Sequence, residues 1–211
     1  MKKKIIALLG NPNVGKTSLF NRLTKLNQKV GNYPGVTVEK REGTLVHQDK
    51  KYHIIDLPGT YTIYPNSLDE EVVYDTLSDT KGSYYPDLVV VVAEPATLKR
   101  AIVLYQQVRE MGLPAIFVVN MVDELAQKGI SIDFDALRQL LRTDIYQTNA
   151  RTGKGIQELI AGLDNEPSLC ISSFQVPAAY APALAEAKRL FPLAKEYSTW
   201  LFLAQENSKV L

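Results

Sequence analysis

Residues 10–17 read Gly10-Asn11-Pro12-Asn13-Val14-Gly15-Lys16-Thr17. The run before them, Lys4-Ile5-Ile6-Ala7-Leu8-Leu9, is apolar and ends in glycine, the pattern of a buried strand. The run after them, Ser18-Leu19-Phe20-Asn21-Arg22-Leu23-Thr24, spaces its apolar residues as a helix does. Strand, glycine loop, Gly-Lys-Thr and helix together are the context of a P-loop. Such a loop turns its backbone N–H groups inward around phosphates, helped by the positive end of the helix. Lys16 would then reach the β and γ phosphates, and the Thr17 hydroxyl would bind Mg²⁺.

Composition sets the frame. The chain has 211 residues, 45% hydrophobic and 22% charged, which is ordinary globular composition and suits one α/β domain with something small attached. A net charge of +1 gives no electrostatic footprint for nucleic acid. The single cysteine, Cys170, rules out a disulfide framework within the chain and fits a reducing compartment. The basic start Lys2-Lys3-Lys4 is followed by too few apolar residues for a secretory signal. No apolar run approaches the roughly 20 residues that cross a bilayer. The end, Asn207-Ser208-Lys209-Val210-Leu211, carries no domain-closing signal, as expected of a piece of a longer chain.

Strand and helix patterns alternate along the rest. Lys29 to Thr37 is rich in glycine and proline without a period, and reads as a loop. Arg41 to His47 and Tyr52 to Leu57 read as a hairpin that puts one antiparallel strand into the sheet. Thr60 to Pro86 is a long, mostly polar segment bearing tyrosines. Leu88 to Val92 and Ala115 to Val119 are wholly apolar strands, as in a parallel sheet covered on both faces. Leu98 to Met111 predicts an amphipathic helix; Asp133 caps another through Leu141; Asp144 to Gln147 is a last short strand before a helix over Ile156 to Leu163. The expectation is a doubly wound α/β fold with a mostly parallel six-stranded sheet over residues 1–165, followed by a linker and helical segment over 166–211. In the latter, Leu184, Ala187 and Phe191 share one face, and Leu193, Tyr197, Trp200, Leu201 and Ala204 share another beyond Pro192.

Ligands of such sheets bind at the carboxyl ends of the strands, where every motif sits. Thr37 can complete the Mg²⁺ shell and sense the γ-phosphate. Asp56 ends a strand and can hold Mg²⁺ through water. The Gly59 backbone N–H can bond the γ-phosphate, so that losing this group releases both loops. Asp123 offers an acceptor pair matched to guanine N1–H and its exocyclic amine, Asn120 would tether neighbouring loops, and the Ala150 N–H could read guanine O6. His47 and His53 lie on strands and do not read as metal ligands. Tyr33, Tyr61 and Tyr64 fit packing or exposure as well as contact with a base or partner.

This set resembles the translation-factor-like GTPases, and within them the Era-like branch. Gly10 through Asn21, Asn32-Tyr33-Pro34-Gly35-Val36-Thr37-Val38-Glu39, Asp56-Leu57-Pro58-Gly59-Thr60-Tyr61 and Asn120-Met121-Val122-Asp123-Glu124 are similar to the N-terminal G domain of the FeoB ferrous-iron transporters. The resemblance spans roughly residues 3 to 163, and the tail is similar to the start of the helical domain that follows in that family. It implies a slowly hydrolysing GTP switch with Mg²⁺, on the cytoplasmic face of the bacterial inner membrane, joined to a membrane transport domain of the same full-length protein. An oligomer is compatible with it. The implied nucleotide set is Gly10 through Ser18 with Gly35, Val36, Thr37, Asp56, Gly59, Asn120, Met121, Asp123, Asn149 and Ala150. Asn13, Lys16, Thr37 and Gly59 are implied in catalysis, and Asn13 as a ligand for an activating K⁺.

Two departures matter. Thr60 stands where a Ras-like GTPase has the glutamine that orients water, and no arginine finger is evident, Arg41 and Arg151 reading as solvated. Asn149-Ala150 replaces the usual Ser-Ala, leaving the geometry of that loop open. Two alternatives stay open at this point: a soluble Era-like GTPase acting on ribosome or tRNA, and a nucleotide sensor with negligible turnover.

Overall fold

The structure is a computed structural model that describes residues 3–165, 167, 174–190 and 195–208. Its seven-stranded sheet has the order β2-β3-β4-β1-β5-β6-β7. The strands are β1 (Lys4–Gly10), β2 (Gln28–Asn32), β3 (Glu39–His47), β4 (Lys50–Asp56), β5 (Leu88–Ala93), β6 (Ala115–Val119) and β7 (Ile145–Gln147). β1 pairs in parallel with both β4 and β5, and β5–β6–β7 continue in parallel. β3 is antiparallel to both of its neighbours, so it alone runs against the rest.

Seven strands are one more than the six expected, and β2 lies in the stretch read as a loop from Lys29. The reason is physical. Four of its five residues are exposed, so no apolar alternation marks it, and it is a strand through edge pairing with β3 alone. The polar segment after Thr60 also hides a helix, α2 (Leu68–Ser78), whose N-cap Ser67 accepts from the Glu70 N–H at 3.3 Å.

Alternate side chains of each central strand feed two cores. Ile6, Leu8, Val90, Val92, Ile116 and Val118 meet α1 (Lys16–Thr24) and α6 (Ile156–Gly162) on one face. Ala7, Leu9, Val89, Val91, Phe117 and Val119 meet α2, α3 (Leu98–Glu110) and α5 (Phe134–Leu141) on the other. All six residues of β5 are buried, because helices cover both of its faces. α4 (Asp123–Gln127) is a short helix that starts at the rim.

The C-terminal helices are α7 (Ala181–Leu190) and α8 (Glu196–Ser208). Tyr197 and Leu201 of α8 are buried in the α3-side core, and Phe174, Tyr197, Trp200 and Tyr180 stack edge to face or tilted. Burial pushes the Tyr197 phenol up to about 12. Cys170, Phe191, Pro192 and Leu193 lie outside the described residues. Among the described residues no helix is long and apolar enough to cross a membrane.

Candidate functional site

β1, β4, β6 and β7 all end at one rim, and each delivers a motif there. Beyond β1, Asn13 takes the left-handed conformation (φ 67°) and is exposed. Gly15 follows at φ 77°, where an added Cβ would lie 2.4 Å from the Asn120 amide nitrogen, so glycine is required both by conformation and by space. α1 then starts at Lys16.

Lys16 folds back across the loop. Its Nζ donates to the Asp56 carboxylate and to the Leu57 carbonyl. The other Asp56 oxygen accepts from the Thr17 hydroxyl at 3.0 Å. β4 therefore places its terminal carboxylate, 6% exposed, between the lysine and the threonine of the loop. The backbone beyond is pinned to β1: Leu57 N–H donates to the Leu8 carbonyl at 3.1 Å and Thr60 N–H to the Gly10 carbonyl at 3.1 Å. Gly59 lies against Pro12, with an added Cβ only 3.1 Å from the proline Cα, so the two loops touch and a side chain there would push them apart by a few tenths of an ångström.

A cavity of about 250 Å³ opens here, lined by Lys16, Thr17, Asp56 and the 57–59 backbone, with Glu39, Arg41 and Asp69 on its other walls. Arg41, read from sequence as solvated, is brought here by the β3–β4 register that pairs it with Asp56, and its side chain is ion-paired with Glu39. No local pattern could have revealed this.

At the far end, Asn120 joins three segments. Its Nδ2 donates to the Val14 carbonyl at 3.0 Å, and its Oδ1 accepts from Thr148 Oγ1 at 3.1 Å and from the Ala150 N–H at 3.0 Å. The expected tether is present, and it adds the wholly buried Thr148 that sequence reading left unassigned. Met121 adopts φ 56°, and its methyl lies beside Gly15. Asp123 stands at the start of α4, and Arg151, also read as solvated, places a guanidinium nitrogen 3.3 Å from its carboxylate.

Asn149, the departure from serine, turns into its own loop. Its Oδ1 accepts from the Arg151 and Thr152 N–H groups at 3.0 and 3.1 Å, an Asx turn that fixes the backbone. The asparagine thus supplies loop geometry from within.

The remaining candidates sit on a turn. Tyr33 to Val36 closes with Val36 N–H to the Tyr33 carbonyl at 3.3 Å and carries Pro34 and Gly35, which suit its two central positions. Gly35 and Thr37 are exposed and Val36 is half-buried; among the described residues the Thr37 hydroxyl has no hydrogen-bond partner. Tyr33 is buried, and burial pushes its phenol well above its ordinary range, with the Asp56 charge adding to the rise. Thr60, 1% exposed, gives its hydroxyl to the Thr62 carbonyl at 2.6 Å and to Glu70 at 3.2 Å. Asn11 is 1% exposed, and its amide group finds no partner among the described residues.

Chemically, one rim offers a tight loop with Asn13 and Gly15 in the left-handed conformation, a lysine, a hydroxyl–carboxylate pair of the hard-oxygen kind that Mg²⁺ takes, and the Asp123 carboxylate.

Comparison with known proteins agrees with this geometry. The family described as "Ferrous iron transport protein B" (FeoB_N) matches residues 4–163. The Fe(2+) transport protein A/Fe(2+) transporter FeoB fusion protein of Porphyromonas gingivalis is 46% identical over 154 residues, 73% of this chain and 18% of the relative. The chain thus spans about a fifth of the length of the curated relatives it matches. Among solved structures, the cytosolic domain of L. pneumophila FeoB superimposes with a TM-score of 0.81 at 32% identity, covering 94% of this chain and 86% of that one. The cytosolic domain of the T. maritima FeoB iron transporter in its GMPPNP form gives 0.76 at 30% identity, covering 93% and 78%. The chain belongs to the ferrous iron transport protein B family, as its N-terminal G domain.

Proposed function

We propose that this chain is a guanine-nucleotide switch that binds GTP with Mg²⁺, hydrolyses it slowly, and by changing two loops regulates ferrous-iron transport by a membrane domain of the full-length protein. The observation that carries this reading is the Asn120 side chain. It ties the Val14 carbonyl of the phosphate loop to the Ala150 N–H of the base loop, which sets the phosphate and base ends of one nucleotide at a fixed separation along the rim. The GMPPNP-bound T. maritima relative supports it, and family membership favours it over a GTPase acting on ribosome or tRNA.

In this reading the backbone from Gly10 to Gly15 surrounds the β-phosphate, Lys16 leaves Asp56 to neutralise the β and γ phosphates, and Ser18 borders the α-phosphate. Thr17 and Asp56, already 3.0 Å apart, are the residues that fit Mg²⁺, Asp56 through a water. When bound, Mg²⁺ would neutralise charge on the phosphates. The turn bearing Gly35, Val36 and Thr37 closes over the γ-phosphate while the Gly59 N–H approaches from the other side. Asp123 reads the base's N–H edge, the Ala150 N–H, shared with Asn120 Oδ1, reads its oxygen, and Met121 and Asn149 shape the walls. The boundary between this domain and the helical segment falls near residue 165.

Slow hydrolysis fits Thr60 standing where a water-orienting glutamine would be, its hydroxyl committed to Thr62 and Glu70. The same observation supports a second reading, a sensor with negligible turnover. Asn13, exposed on its left-handed turn, presents an amide oxygen of the kind K⁺ takes. K⁺ would supply positive charge beside the phosphates. Phosphate release from GTP in KCl and NaCl at equal ionic strength, with Asn13→Ala in parallel, tests this. Faster hydrolysis in KCl that vanishes in Asn13→Ala is expected. Equal rates would move the catalytic charge elsewhere, to Arg41 on the cavity wall, and no turnover with GTP still bound would favour the sensor.

A further inference from the structure

α1 carries an arginine whose role none of the motifs assigns. Arg22 reaches from the helix to the base loop, 128 residues on in sequence. Its Nε donates to the Ala150 carbonyl at 3.0 Å and its Nη2 donates to the Arg151 carbonyl. The guanidinium carbon lies 3.8 Å from where a Cβ on Gly153 would stand, so the fork runs beneath the loop from residue 150 to 153. Both acceptors are loop carbonyls outside the sheet ladders. A planar guanidinium presents donors in a rigid fork and suits two neighbouring carbonyls better than a point charge does. Such charge-assisted bonds are about twice as strong as neutral ones.

The helix that holds Arg22 is itself fixed. Leu19, Phe20 and Leu23 are buried in the core against the sheet, and the first residue of α1 is Lys16. The base loop is closed from within by Asn149 and held by Asn120 through the Ala150 N–H. Arg22 holds the opposite side of the same residue, through its carbonyl. Arg151, whose carbonyl it also grips, carries the side chain that faces Asp123.

We infer that Arg22 is a positioning residue that holds the Ala150 segment where its backbone N–H, shared between Asn120 Oδ1 and the 6-oxo group of guanine, reads that oxygen, and so sets how fast the nucleotide leaves. The inference rests on the guanine-nucleotide reading above. Its mechanism is local: without the fork, the two carbonyls turn to water and the loop pivots on Asn120 alone. Release then accelerates and discrimination at the 6-position weakens. An arginine that merely stiffened the fold would weaken all nucleotides alike.

The test uses Mg²⁺-loaded protein and stopped-flow displacement of fluorescent GDP, together with equilibrium competition between GDP and 2-aminoadenosine diphosphate, which bears an amino group in place of the 6-oxo group and lacks the N1–H, so that only the change in preference between wild type and Arg22 variants reports on the 6-position. Losing two charge-assisted hydrogen bonds in Arg22→Ala is expected to speed GDP release about tenfold and to narrow the preference for GDP about fivefold. Arg22→Lys, which can satisfy one carbonyl at a time, should fall between wild type and Arg22→Ala in both readouts. Release within twofold of wild type in Arg22→Ala overturns the inference. So does faster release with the GDP preference intact, the signature of general loosening. Should Arg22→Ala fail to fold, Arg22→Lys and Arg22→Gln are judged by the same two criteria. A wild type that holds GDP while Arg22 variants behave as wild type sinks the Arg22 inference alone; a wild type that holds no GDP sinks the guanine-nucleotide reading, and this inference with it.

Discussion

At the ends of β1 and β6, Asn120 is 1% exposed and its amide is joined to Val14, Thr148 and Ala150. Across the rim, Thr37 sits exposed beside a turn held by two backbone hydrogen bonds, Val36 N–H to Tyr33 and Tyr33 N–H to Val38, and by Tyr33, Val36 and Val38 packing on the core. Both residues belong to one proposed site, yet one is wired to the protein and the other is exposed, without a side-chain hydrogen bond among the described residues. The proposed switch requires such a contrast. Parts that must hold the same geometry with either nucleotide are fixed by protein–protein hydrogen bonds in a low-dielectric setting. Parts that must respond to a single phosphate take their order from the ligand, so they cannot be held by partners of their own.

Several substitutions would break or sharpen this contrast. The largest effect is expected at the base. Asp123→Asn replaces an acceptor with a donor facing the guanine N–H edge, and GDP affinity should fall about 100-fold, some 2.7 kcal/mol. The xanthine nucleotide, which offers an acceptor at that position, should gain in the same competition assay. Asn120→Ala cuts the fixed side. It leaves the Val14 carbonyl and Ala150 N–H buried without their partner, and should cost about 2–3 kcal/mol in denaturant unfolding as well as weakening GDP. Thr37→Ala probes the exposed side. It should slow single-turnover GTP hydrolysis about tenfold while unfolding stays within about 0.5 kcal/mol of wild type. A Thr37→Ala protein as destabilised as Asn120→Ala would erase the distinction between the two regions.

The smallest effect concerns a contact far from the rim. Asp164 accepts from Lys50 at 2.6 Å and from Tyr52 at 3.0 Å, and the Lys50 ammonium holds its carboxyl below the usual carboxylate range. The folded state therefore releases this proton more readily than the unfolded state, and stability rises with pH through that window. The pair is solvent-screened, so its contribution is expected to be a few tenths of a kcal/mol. Wild type should exceed Asp164→Asn by that amount at neutral pH, and the gap should close once the pH falls below the folded pKa. A gap that widens in acid would reverse the sign of this account.

What the sequence made legible follows the same division. β1, β5 and β6 are read directly, because strands buried on both faces leave uninterrupted apolar runs such as Leu88 to Val92. Asp133 was legible as a cap, and it accepts from the Asp135 and Ala136 N–H groups. β2 was not, since an exposed edge strand needs no apolar residue. α2 was obscured by its four acidic residues, although Ser67-Leu68-Asp69-Glu70 fits a helix-start signature. In the site, the motif residues were legible because each acts through local backbone geometry. Arg22, Arg41 and Thr148 were not, because their places depend on pairings over 128 residues, on strand register and on 28 residues of separation, respectively. The aromatic face of α8 was legible as packing, but its partner could be known only from the fold, where it joins the core that α3 lines and its Ala204 carbonyl accepts from the Tyr64 hydroxyl at 3.4 Å.

The ends of β1, β4, β6 and β7 are proposed to assemble one guanine-nucleotide site. Equilibrium titration of the purified chain with GDP and with ADP, in Mg²⁺ and beside Lys16→Ala, tests it most directly. The account predicts saturable GDP binding, at least about 100-fold tighter than ADP, as expected where a carboxylate and a fixed N–H read the base, and lost in Lys16→Ala. Equal affinity for GDP and ADP, or GDP binding indifferent to Lys16, would contradict it.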